Sequence, residues 1–173
     1  PEEAMEARSP EDEDLERGLA EAGSSPMEYA RALERHLKKY PKTARRGELE
    51  RVLAQAAVEL RDRRRLLLYG APAIESGLRN ATAIDHVTRA LLDNTDAESA
   101  ERALTYSKIL IGMRSDQRKA QMESKEIVSS RGRRLDETEF ALARAYTFEA
   151  RALANQNKLD EAEDTLNDIT KNY

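Results

Sequence analysis

The stretch ARAYTFEARALANQNKLDEAEDTLNDITKNY, residues 143–173, decides the fold class. Its apolar side chains recur at spacings of three and four residues, which is the period of an amphipathic α-helix. A polar corner around Asn157 interrupts the pattern, and beyond it Ala162, Leu166 and Ile169 lie along one side of a second helix. Because helices joined by so short a corner pack as antiparallel neighbours, this stretch predicts a helical hairpin.

The first helix of this hairpin resembles that of a tetratricopeptide repeat, a helix–turn–helix unit of about 34 residues. The resemblance places Tyr146 at the first aromatic position and Ala150 at the small position where the paired helices approach. Leu153 then takes the next large position, and Asn157 takes the corner usually held by Gly. The match therefore covers the first helix from residue 143 onward, together with its corner.

The second helix continues the resemblance but departs from it at its end. Leu159, Ala162 and Leu166 fit the large, small and bulky positions, whereas Ile169 stands where the family prefers Ala. The terminal Pro of the motif would follow Tyr173, so we expect a domain truncated at its C-terminal edge. A partial second copy is YARALERHLKKYP at 29–41, and residues 62–133 do not keep the period. The number of true repeats there stays open.

Composition supports an all-α fold of antiparallel helical hairpins, stacked as a tetratricopeptide-like array of about seven helices. Only 7 Gly and 5 Pro occur in 173 residues, too few turn-formers for a many-stranded β architecture. The absence of cysteine excludes disulfides, cysteine-ligated zinc and thiol catalysis. No stretch approaches the roughly 18 apolar residues of a membrane span, so no span is predicted. The predicted helices are 26–40, 44–60, 64–78 (weakened near Gly70 and Pro72), 80–94, 95–132 (one helix, or two broken near Gly112–Ser115), 134–156 and 159–173.

The charge is divided unevenly between the start of the chain and the rest. Residues 1–25 hold nine acidic residues against two basic ones, which leaves a surplus of about three positive charges in residues 26–173. A segment this acidic, with so little apolar content, cannot bury enough apolar surface to offset the conformational entropy that it loses on folding. We therefore expect a disordered leader over 1–25, with at most a fluctuating helix around 11–22, and a helical domain over 26–173.

Catalytic and metal-binding patterns are absent from the sequence. Its two histidines, His36 and His86, lack further ligands at helical spacing and are read as helix-surface or boundary residues. Carboxylate pairs such as Glu161 with Asp164 fit a solvated charged face, because catalytic pairs need burial to separate their pKa values. No glycine-rich phosphate loop or nucleophile elbow occurs. We expect no enzymatic activity and no cofactor.

Basic clusters are the clearest signal beyond packing. They lie around Lys38–Arg46, Arg61–Arg65 and Arg131–Arg134, and such charges could contact nucleic-acid phosphates. The aromatic residues mostly sit at helix-packing spacing rather than as stacking platforms. Solvated corners, or docking of the protein's own acidic leader, account for the clusters more economically than a basic helical nucleic-acid-binding module.

The resemblance to the tetratricopeptide family implies a non-catalytic scaffold that binds a protein or peptide. It places Arg144, Tyr146 and Arg151 on the groove-lining helix, so these are the candidate partner-binding residues. An alternative is an accessory helical domain that precedes a thioredoxin-like domain in a bacterial exported protein, which favours an exported or periplasmic location over the cytoplasm. Self-association through the C-terminal helix is a further expectation.

Overall fold

The structure is a computed structural model that describes residues 9–123 and 128–172, and it confirms the all-α fold. Every regular element within those ranges is helical. The chain divides into two compact units, one that ends at Leu78 and one that begins at Arg79. This division differs from the single domain expected over 26–173. Residues 76–80 around the boundary are non-helical, and Gly77 adopts a φ of 102°, which an L side chain disfavours.

The first unit is built from four helical segments around one apolar cluster. They are α1 (Pro10–Ala22), α2 (Pro26–Lys39), α3 (Arg46–Glu59) and a run formed by α4 (Arg63–Arg65), a π-helical turn (Leu66–Gly70) and α5 (Ala71–Glu75). The buried cluster comprises Leu15, Ala30, Leu33, Leu37, Leu49, Leu53 and Ala56.

The boundaries of α2 confirm the sequence signals at both ends. The Ser25 hydroxyl accepts a hydrogen bond from the backbone N–H of Glu28 at 3.4 Å, and Pro26 stands at the first helical position. The helix ends at Lys39, two residues before Pro41, which cannot continue a helix.

Helix α1 corrects the expectation of a disordered leader for the part of 1–25 that the structure describes. Ser9 caps the helix by accepting the Asp12 N–H at 3.2 Å, and Pro10 begins it. Leu15 is only 4% exposed, because it joins the apolar cluster of the unit. Composition alone does not reveal this helix, since its stability depends on contacts with α2 and α3 rather than on its own apolar content.

The predicted weak point in the third helix is a π-helical turn over Leu66–Gly70. Pro72 has no N–H to offer the carbonyl of Leu68, so the ordinary helical hydrogen-bond pattern cannot pass this point. The chain accommodates the proline with a local change in helix type and continues directly into α5.

The second unit contains α6 (Ala81–Leu92), α7 (Ala97–Glu123), α8 (Val128–Asn155) and α9 (Leu159–Asn172), and sequence neighbours pack against each other. Asn80 caps α6 by accepting the Ala83 N–H at 3.0 Å, as predicted. Asp96 caps α7 by accepting the Ser99 N–H at 2.8 Å.

Helices α7 and α8 are longer than the repeat pattern indicates. Helix α7 passes through Gly112 without a break, because a single glycine in a helix costs only about 1 kcal/mol. Helix α8 begins at Val128 rather than near residue 134. The described part of α7 has no buried residue after Leu110, so its last turns form a more exposed arm. Arg118 and Glu139, 3.0 Å apart, link this arm to α8.

Candidate functional site

The corner between α8 and α9 has a backbone geometry that fixes the angle of the final hairpin. Asn157 adopts a φ of 60°, the left-handed conformation that Gly usually supplies and Asn tolerates. The N–H of Asn157 donates to the carbonyl of Ala154 at 2.9 Å, and that of Lys158 donates to the carbonyl of Leu153 at 3.0 Å. These two bonds form a Schellman motif, which satisfies the last carbonyls of α8.

Small side chains let the two helices of the hairpin approach. Ala150 and Leu153 of α8 pack with Ala162 of α9 in a buried cluster, and Leu104 of α7 lies against it. Alanine at the contact positions shortens the distance between helix axes. These residues hold α9 by one side only.

Two exposed leucines of α9 lie three and four residues from the buried Ala162, and so border the side of the helix that packs on α8. Leu159 is 61% exposed and Leu166 is 46% exposed, and α9 holds both. Their separation of seven residues puts them on the same side of the helix, two turns apart. Scattered single leucines on a surface are ordinary, but an aligned pair of exposed leucines is typical of a contact surface. We call the exposed surface formed by Leu159 and Leu166 the α9 outer face.

Acidic side chains flank the α9 outer face. Glu163 lies between the two leucines on the same side of the helix, and Asp160 and Asp164 lie next to it around the helix. Within Leu159–Asn172 there are five acidic residues against one lysine. The α9 outer face therefore combines an apolar stripe with a strongly negative rim.

Arg144, one of the candidate partner-binding residues, contacts helix α6 of its own unit. Its Nε lies 2.9 Å from Oδ2 of Asp85, at a geometry that makes an ion pair but not a directed hydrogen bond. Asp85 is only 7% exposed, and its Oδ1 accepts a hydrogen bond from Arg89 at 3.1 Å. The buried carboxylate thus has two guanidinium partners. The guanidinium of Arg144 also lies 5.9 Å from the Phe140 ring.

Arg151 makes the second link between α8 and α6. Its Nη2 donates to the backbone carbonyl of Leu92 at 3.0 Å and to Asp93 at 3.3 Å. Arg144 pairs with residue 85 and Arg151 with residues 92 and 93, so the register increases in the same direction along both helices. Helices α6 and α8 are therefore parallel, which is the alternation expected when two helical hairpins stack.

Tyr146, the third candidate, is half-buried on α8. The structure places all three predicted residues on one helix, but it engages both arginines in contacts with α6. Leu159 and Leu166 match packing positions of the repeat motif, and the motif does not identify them as an exposed pair. The signal that points to them is the combination of their seven-residue spacing with the surrounding carboxylates.

The basic clusters predicted around the first corners form ion pairs in the first unit. Lys39 lies 2.8 Å from Asp14, Arg45 lies 3.2 Å from Asp12, and Arg65 binds Glu34 through two hydrogen bonds of 3.0 and 2.8 Å. The hydrogen bond to Glu34, reinforced by Asp62, raises the pKa of Arg65 above its usual range. These cations are positioned by carboxylates of their own chain.

His36 differs from the prediction of a surface or boundary residue. It is 4% exposed, and its Nε2 lies 3.3 Å from the carboxylate of Glu11. Its ring packs against Tyr40 with centroids 4.8 Å apart. His86 is half-buried. Over residues 9–123 and 128–172, no group of three His, Cys, Asp or Glu side chains is arranged to hold a metal ion.

A bilayer would need a longer and more apolar helix than any in the part of the chain that the structure describes. Comparison of the sequence and the fold with known proteins adds no family assignment. No protein-family model, no curated protein and no solved structure gives a significant match to this chain.

Proposed function

We propose that this protein is a non-catalytic interaction module whose second unit is a tetratricopeptide-like helical array. The parallel alignment of α6 and α8 and the Schellman corner before α9 support this interpretation. The lengths of α7 and α8, 27 and 28 residues, exceed those of the repeat helices that the sequence resembles. The array is therefore a divergent one, with α6–α7 and α8–α9 as its two hairpins.

The observation that carries the proposal is the α9 outer face. In stacked hairpins each unit buries one face on the next, so apolar side chains that stay exposed on a hairpin form a face that can receive another helix. The exposed pair of Leu159 and Leu166 is such a face. Contact with a partner removes this apolar surface from water, which favours binding by roughly 25 cal/mol for each Å² of apolar surface buried.

The charge around the α9 outer face selects the chemistry of the partner. Five acidic residues of α9 against one lysine attract a cationic segment and disfavour an anionic one. Two leucines that lie two turns apart on one side of α9 fit the apolar side of another helix. The partner is thus a basic amphipathic helical segment of another protein.

A binding experiment with a defined probe tests the proposal. We would titrate the full chain into a fluorescent synthetic helix that carries leucines at spacings of three and four, flanked by lysines. Leu159→Ser with Leu166→Ser should weaken binding about tenfold or more, since each substitution removes an apolar contact. Leu68→Ser is the matched control, because Leu68 is 52% exposed but belongs to the first unit.

Charge provides the second arm of the same experiment. Glu163→Lys should weaken binding of the lysine-flanked helix, and a glutamate-flanked helix should bind the unaltered chain poorly. Equal binding of both helices would contradict the assignment of a basic partner. Concentration-dependent dimerisation lost in the double leucine variant would instead identify a second copy of this chain as the occupant.

A further inference from the structure

Helix α1 makes several charged contacts with the rest of the first unit. It contains six acidic residues and one arginine. Three of its carboxylates reach cations or a histidine far along the chain: Glu11 meets His36 at 3.3 Å, Asp12 meets Arg45 at 3.2 Å, and Asp14 meets Lys39 at 2.8 Å. The surface that α1 covers therefore carries basic side chains opposite the carboxylates of an acidic helix.

The apolar part of this contact is small. Only Leu15 and Ala22 are buried among the thirteen residues of α1, whereas α2 and α3 each bury five of fourteen. Leu15 joins Leu33, Leu37 and Leu49 in the apolar cluster, and Leu19 packs beside it. Helix α1 is thus the long helix of this unit with the fewest buried anchors, and elements of this kind open at lower free energy than the core.

A cleft that is open to solvent lies along the seam between α1 and α2. Its volume is about 210 Å³, and it is lined by residues of both helices that include Gly18, Ala32 and His36. Nδ1 of His36 is buried and makes no hydrogen bond in the structure. Part of the seam between α1 and α2 is therefore accessible to solvent.

We propose that α1 is an exchangeable occupant of a groove formed by α2 and the start of α3. The groove is a binding site for acidic amphipathic helices, and an external helix with the α1 pattern displaces α1 to bind there. The chemistry of the partner follows from that of the present occupant: carboxylates opposite Lys39 and Arg45, and a leucine that enters the cluster of Leu33 and Leu37. This site belongs to the first unit and does not depend on the α9 outer face.

The tether explains why the groove stays covered in the absence of a partner. Residues 23–25 join α1 to α2, so α1 competes at a high effective concentration. An external helix gains access when the internal contact is weakened. Leu15→Ala weakens it at its main apolar anchor without touching the groove.

The test uses the full chain and a fluorescent peptide of residues 9–24. The Leu15→Ala chain should bind this peptide at least about tenfold more tightly than the unaltered chain does. Binding should weaken as NaCl is raised, because the paired charges are partly exposed and therefore screened. If Leu15→Ala unfolds the unit, the Asp14→Asn chain is used in its place, because this substitution weakens the internal contact more mildly.

A charge exchange separates specific docking from general attraction. Lys39→Glu in the Leu15→Ala chain should reduce binding of the 9–24 peptide, and a peptide with Asp14→Lys should restore it. Native-state hydrogen exchange supplies an independent readout: the amides of α1 should exchange at least about tenfold faster than those of α2 and α3. Equal protection of α1 and α3, or failure of the exchanged charge pair to regain binding, would overturn the proposal.

Discussion

The replacement Arg144→Ala tests whether the arginines of α8 hold the second unit together. Arg144 faces Asp85, a carboxylate of which the side chain is 10% exposed, whereas Arg151 faces Asp93, which is 52% exposed. Removal of one partner from a buried ion pair costs more than removal from an exposed pair, because the remaining charge stays desolvated. The two arginines thus form a matched pair of substitutions.

The structure sets the size of the difference. Loss of one partner of a fully buried pair costs about 3–5 kcal/mol, but Arg89 remains bonded to Asp85 and Arg144 itself is 37% exposed. We therefore expect Arg144→Ala to lower the free energy of unfolding by about 1.5–3 kcal/mol. Arg151→Ala should cost less than about 1 kcal/mol, since its charged partner Asp93 is 52% exposed and stays solvated when the arginine is removed.

Urea-dependent hydrogen exchange of amides in α6 and α8 measures the stability of the second unit by itself. Addition of Asp85→Asn should recover part of the cost of Arg144→Ala, because the neutral amide needs no cation. Equal costs for the two arginine substitutions would refute the reasoning, as would strict additivity of Asp85→Asn with Arg144→Ala.

Three further predictions follow from individual residues. Asn157→Ala should destabilise the α8–α9 hairpin by about 1 kcal/mol in thermal melts while Asn157→Gly should not, since only the alanine is penalised at a φ of 60°. Burial raises the pKa of Glu149, with Lys108 opposing it; the folded state then binds this proton more tightly than the unfolded state, and Glu149→Gln should raise the melting temperature at pH 7. The hydrogen bond from Lys39 lowers the pKa of Asp14, so its stabilisation is present above the unfolded-state pKa of about 4 and is lost as the pH falls through the folded value. NMR shifts of α1 should accordingly move toward coil values in acid before those of α3 do, and simultaneous loss of both helices would contradict this order.

Local sequence signals predict most helix boundaries because they act through near neighbours. Ser25 with Pro26 and Asn80 mark the starts of α2 and α6 by satisfying free backbone N–H groups, and the structure shows both caps. The corner at Asn157 was also predictable, since few residues tolerate the left-handed conformation.

Long-range contacts are what the sequence leaves open. The docking of α1 depends on Asp12 and Asp14 meeting cations 25 to 33 residues away, and no local pattern reveals such pairs. The burial of Asp85 likewise depends on α8, which lies more than 40 residues further along the chain. Leu159 and Leu166 match packing positions of the repeat, and their exposure among the described residues becomes visible only in the structure.

The hydrogen-exchange footprint of the lysine-flanked helix on the full chain tests the central claim most directly, because it locates the contact without any substitution. If the helix docks at the α9 outer face, amide exchange should slow in α9, around Leu159–Asn172, while the first unit and α6 stay unchanged. Protection confined to other helices, or no protection at probe concentrations that saturate binding, would contradict docking at the α9 outer face.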